Sequence, residues 1–104
     1  MNHDELLNQV KSSLETAFGD RLRGVILYGS EARGCAEPDS DVDLLVLLTG
    51  PVHFGKDLRI CIHVLYPLVL DLGRPIDVIP VDVDEYQSQE FSLYRHAKGE
   101  GIHV

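Results

Sequence analysis

The chain is expected to fold as an α/β protein, a small mixed sheet with helices packed on it. Three observations lead there. Three short apolar runs read as strands, Leu22 to Tyr28, Asp41 to Leu48 and Ile76 to Val83. Helical apolar spacing precedes the first run and separates the second from the third. The chain has 104 residues, 44% hydrophobic and 25% charged, without repeat or low-complexity tract, so one domain spanning 1–104 with a packed core is expected.

His3 to Phe18 carries Leu6, Leu7, Val10, Leu14, Ala17 and Phe18 at helical spacing, with Gly19 as its stop. Leu22 to Tyr28 is a buried strand ending at Gly29. Ser30 to Gly34 is expected to form a turn of helix with Ser30 as N-cap, and Cys35 to Ser40, containing Pro38, is loop. Asp41 to Leu48 is polar at its start and then apolar at every position, the pattern of a central strand covered on both faces. Thr49 to Lys56 reads as loop, and Asp57 to Leu72 as a helix closed by Gly73, kinked or restarted at Pro67. In Ile76 to Val83, Pro80 cannot donate to a ladder, which assigns that strand to an edge. Asp84 is the expected cap of a last helix over Glu85 to Lys98.

Nine basic against 17 acidic side chains give a formal charge of −8. That balance disfavours direct gripping of nucleic acid or of an acidic membrane, since both rest on Lys and Arg. The longest apolar stretch, Ile60 to Leu72, is interrupted by His63, Pro67 and Asp71 and is too short to span a bilayer. Met1 to Glu5 is polar and acidic, unlike a secretory leader, and Cys35 and Cys61 do not make a disulfide framework. A cytoplasmic location with reduced thiols is expected.

The chemistry concentrates in the middle of the chain. At Gly29-Ser30 a glycine admits close approach to the backbone, and a helix start offers N–H groups to an anion. Asp41 and Asp43 flank Val42 on a strand, so both carboxylates point to one side, where they repel unless a cation or a proton intervenes. Asp77 stands alone among apolar residues at the start of the third strand, Ile76-Asp77-Val78-Ile79. The helical crossover between strands two and three makes them parallel neighbours, which brings Asp77 to the end that holds Asp41 and Asp43. Strand one, joined to strand two by too short a link for a crossover, runs antiparallel and delivers Gly29-Ser30 to the same end.

These residues resemble the DNA-polymerase-β-like nucleotidyltransferases. Gly29-Ser30, ten intervening residues and Asp41-x-Asp43 would arise by chance about once in a thousand chains of this length. The fuller string Gly29-Ser30-Glu31-Ala32-Arg33-Gly34 followed by Ser40-Asp41-Val42-Asp43-Leu44 is similar to the minimal nucleotidyltransferase (MNT) branch. That resemblance implies a polymerase-β palm-like fold and two Mg²⁺ ions held by Asp41 and Asp43. Asp77 would complete the metal site and help deprotonate the attacking hydroxyl, and Gly29 and Ser30 would hold the β- and γ-phosphates of ATP. Arg33 would reach phosphate or, equally, pair with Asp39 or Glu37. The resemblance further implies an antitoxin that transfers AMP to a tyrosine of a HEPN-type ribonuclease toxin and assembles with it as a hetero-oligomer. A chain with no substrate domain after the catalytic one would be expected to act on a protein acceptor. Transfer to an antibiotic-type small molecule, and neutralisation by contact alone, are the alternatives.

Other features read as structural. Cys61 and His63 are expected on an apolar helical face, His53 in a solvated loop, and Tyr28 and Tyr66 in the core. Tyr86, Phe91 and Tyr94 are candidates for an exposed aromatic patch.

Overall fold

In the computed structural model, which describes residues 3–29, 34, 40–88 and 101–103, four strands form one mixed sheet. Helix α1 (His3–Phe18) leads through a 3₁₀ turn (Gly19–Arg21) into β1 (Leu22–Tyr28), then β2 (Val42–Leu48), α2 (Phe54–Leu72), β3 (Ile76–Asp82), α3 (Val83–Ser88) and β4 (Ile102–His103). The spatial order is β3-β2-β1-β4. β1 runs antiparallel to β2, with Tyr28 opposite Asp43, and β2 runs parallel to β3, with Asp43 opposite Asp77. Both orientations follow from the connections, short between β1 and β2 and helical between β2 and β3. Pro80 lies on an edge strand as expected.

The sheet separates two apolar clusters. Leu6, Val10 and Leu14 of α1 and Cys61, Leu65 and Leu68 of α2 cover one face, against Val25, Leu27, Val42, Leu44, Val46 and Leu48. The other face gathers Ile26, Leu45, Leu47, Val81, Val83 and Tyr86. β2 contributes alternate residues to both clusters, which explains its unbroken apolar run from Leu44 to Leu48.

Several expectations need correction. α2 begins at Phe54 rather than Asp57, because the Asp57 carboxylate reaches back to accept the His53 backbone N–H at 3.1 Å. The helix continues through Pro67 without restarting; Pro67 and His63 are both exposed, so the carbonyl that Pro67 cannot serve lies on the solvent side. Tyr66 is 57% exposed, forming an outward stripe with Ile62 and Leu70, because the inward face is set by Cys61, Leu65 and Leu68. For the same reason His63 does not share a face with buried Cys61, whose thiol burial pushes up to about 12.

The last helix starts at Val83, and its cap is Asp82, whose Oδ1 accepts the N–H groups of Asp84 and Glu85 at 2.8 and 3.4 Å. Tyr86 is only 3% exposed and belongs to the second cluster, while Phe91 and Tyr94 lie outside the described residues. β4, paired with β1 through Ile26↔His103 and Leu27↔Ile102, was not anticipated. Among the described residues no helix is long and apolar enough to cross a membrane.

Candidate active site

The rim formed by the end of β1 and the starts of β2 and β3 collects the chemistry-bearing residues. Alternation along β2 sends Val42 into the α1/α2 side of the sheet and Asp43 to the opposite side. The same alternation in β3 sends Ile76 towards the helices and Asp77 to the Asp43 side, in direct register with it. Asp41 precedes β2 by one residue, and its carboxyl lies close enough to that of Asp77 to raise it. Asp77 is held above the ordinary carboxylate range first by side-chain hydrogen bonding with Asp41, then by burial and by the charge of Asp41.

Gly29 completes the described part of the rim. Its φ of +74° lies in the left-handed region, and a Cβ there would collide with the Asp43 carboxylate. Glycine therefore brings the backbone at the end of β1 directly onto one of the three acids. Tyr28, expected as a core residue, is half-buried on the same side, and its phenol is raised first by burial and then by the charges of Asp43 and Asp77. Ser30 and Arg33, expected to contact phosphate, and Glu37 and Asp39, the alternative partners of Arg33, lie outside the described residues.

The donor set fits a hard divalent cation in a particular way. All three side chains offer only oxygen, and Asp41 and Asp77 already converge. Among the described residues, however, no three acidic, histidine or cysteine groups are drawn together into a ready cage. Mg²⁺ is suited to this, since it is held by one or two carboxylates together with substrate phosphates rather than by an all-protein cage.

Two further groups support the rim. Arg74 Nε donates to the Ser40 carbonyl at 2.8 Å, and Val42 N–H donates to the Pro75 carbonyl at 2.9 Å. Sequence reading passed over Arg74; its only signal was an arginine and a proline immediately before a strand that carries a site residue. A cleft of about 540 Å³ lined by Lys11, Glu15, Asp20 and Arg23 lies at the other end of β1 and takes no part in this site.

A mixed sheet backed by two helices on one face thus carries paired acids at the starts of adjacent parallel strands. The family model described as a nucleotidyltransferase domain matches residues 7–99, and the chain belongs to that family. A Methanocaldococcus jannaschii protein provisionally named a protein adenylyltransferase is 29% identical over 103 residues, 97% of this chain and 96% of its own length. Spectinomycin 9-adenylyltransferase of Enterococcus faecalis is 25% identical over 96 residues, 92% of this chain but 37% of that protein.

Among solved structures, a spectinomycin adenyltransferase with ATP and spectinomycin superposes with a TM-score of 0.73 at 19% identity, covering 99% of this chain and 56% of that one. A toxin–antitoxin crystal structure with AMP-PNP gives 0.68 at 19% identity over 92% of this chain and 69% of that one. The MntA–HpeT toxin–antitoxin gives 0.64 at 16% identity over 100% of this chain and 72% of that one. These likenesses establish the polymerase-β-like nucleotidyltransferase fold.

Proposed function

We propose that this chain is a cytoplasmic Mg²⁺-dependent adenylyltransferase, a single domain over 1–104, that moves AMP from ATP to a hydroxyl of a partner protein. The observation that carries the reading is the rim itself, where Asp43 stands in register with Asp77, Asp41 meets Asp77, and the close-approach glycine Gly29 lies against Asp43. Asp41, Asp43 and Asp77 would hold two Mg²⁺ ions, which when bound neutralise charge on the attacking and leaving oxygens. Gly29, with Ser30 and Arg33, would seat the β- and γ-phosphates. Asp77 draws the proton from the attacking hydroxyl, whose oxygen bonds the α-phosphorus as the bond to the bridging oxygen breaks and pyrophosphate leaves.

The likeness to toxin–antitoxin structures and to the Methanocaldococcus jannaschii relative supports a protein acceptor. The acceptor proposed is a tyrosine of a HEPN-type ribonuclease toxin that forms a hetero-oligomer with this chain. The charge of −8 suits a partner whose RNA-handling face is basic. A second reading, transfer to an antibiotic-type small molecule, is favoured by the spectinomycin adenylyltransferase similarity.

Incubation with labelled ATP and Mg²⁺, with the protein encoded beside this chain or with spectinomycin, separates the readings by where a mass gain of one AMP appears. Label on the protein supports the first reading and label on the small molecule the second. Absence of transfer to either, with neutralisation undiminished in Asp41→Asn/Asp43→Asn, would leave contact alone and refute both. Asp77→Asn should abolish transfer while retaining most nucleotide binding, since phosphate contacts are assigned to Gly29 and Ser30; a fully active Asp77→Asn enzyme removes Asp77 from the chemistry.

A further inference from the structure

Asp41 carries half of the Asp41–Asp77 contact, yet it lies outside β2, one residue before the ladder begins. Something other than strand pairing must therefore fix it. The ladder register shows what is missing. In a parallel pair the bond from Val42 N–H to the Pro75 carbonyl is followed, one step towards the rim, by a bond from the N–H of residue 75 to the carbonyl of residue 40. Residue 75 is proline and has no N–H to give. The Ser40 carbonyl instead accepts the Nε–H of Arg74 at 2.8 Å.

We propose that Arg74 is a positioning residue of the site, its side chain standing in for the main-chain donor that Pro75 lacks and so fixing Asp41 over Asp77. Asp41 is then held on both flanks by one dipeptide. Arg74 takes the carbonyl before it, and Pro75 takes the N–H after it. The arrangement places a bond where the ladder needs one, while ending the strand so that Asp41 can turn to Asp77. Its consequence for metal binding rests on the proposed function; its consequence for the start of β2 does not.

Four variants test it: Arg74→Ala, Arg74→Lys, Pro75→Ala and the double variant Arg74→Ala/Pro75→Ala. Two readouts are needed, amide exchange at Val42 and Mn²⁺ affinity by electron paramagnetic resonance, with melting temperature as the folding control. Arg74→Ala should accelerate Val42 exchange and weaken Mn²⁺ binding tenfold to a hundredfold, the usual effect of losing a group that orients a ligand. Arg74→Lys, which has no Nε–H, should recover little. Pro75→Ala should match the parent, and the double variant should recover most of both readouts, because an alanine in place of Pro75 supplies a backbone N–H to Ser40.

Unchanged Val42 exchange in Arg74→Ala, or a double variant no better than the single one, overturns the proposal. Val42 exchange that follows the predicted order in a protein whose parent form binds no Mn²⁺ supports the clamp and instead refutes the metal reading.

Discussion

A methyl group at position 29 would enter space that the Asp43 carboxylate occupies, on a backbone already at a φ of +74°. Gly29→Ala should therefore cost about 1–3 kcal/mol of stability through backbone strain alone. It should also push Asp43 out of line with Asp77, so nucleotide transfer should fall further than the melting temperature explains. The check is to assay Gly29→Ala at a temperature where it is fully folded: transfer at the parent rate there would contradict a role for this close approach. Gly29 and the acids were legible in the sequence because their chemistry is intrinsic to residue type. Their meeting at one end of the sheet was legible too, from the crossover that makes β2 and β3 parallel, but which acid Asp77 touches was not, since that depends on how Asp41 turns after the ladder stops.

At the scale of elements, the start of α2 rests on an ion pair, buried on its Asp57 side, that bridges distant segments. Asp57, 1% exposed, accepts both Arg21 NH groups at 3.1 Å and the His53 N–H. Its carboxyl is held below the ordinary value of 3.8, first by the Arg21 hydrogen bonds, against the opposing effect of burial. The linkage has a definite sign. Between the lowered folded value and 3.8 the unfolded chain binds more protons, so stability rises with pH there. The contribution is complete above that range and is lost as acid titrates Asp57 in the folded protein. Arg21→Ala strands a buried charge and should cost about 2–4 kcal/mol at pH 7, discounted because the arginine is partly exposed. Acid unfolding curves should show the penalty shrinking towards low pH; a penalty constant down to pH 2 would rule the linkage out. Helix periodicity located α2 but missed this cap, because a carboxylate that turns back to its own N-terminus looks in sequence like any acid in a first turn.

The whole molecule is organised around β2, whose alternate side chains enter two cores. Leu44 faces the helices and Leu45 the opposite cluster, both fully buried. Truncation of either to alanine should cost about 2–5 kcal/mol. The two losses should add, because the side chains lie on opposite faces and share no neighbours in either cluster. Denaturant titration of the singles and the double variant measures this directly, and a strongly non-additive double would mean the two layers are not independent. At the same scale, a chain of charge −8 with three of its acids at one rim should gain melting temperature from Mg²⁺ and ATP together. Asp41→Asn/Asp43→Asn should lose most of that gain, and an undiminished shift in the double variant would place the ligand elsewhere.

The sequence by itself determined whatever depends on period and on connection. Alternation put Asp41 and Asp43 on one side of Val42, a helical crossover made β2 and β3 parallel, and a proline sent β3 to the edge. These are local rules, carried by neighbours along the chain. Only the tertiary structure decided which face of the sheet bears the acids, that Tyr66 points outward and Tyr86 inward, and that β4 closes on β1. It alone joined Asp57 to Arg21 and Ser40 to Arg74. Such contacts link residues more than thirty positions apart, where no periodicity reaches and only the packing of one layer on another selects the partner.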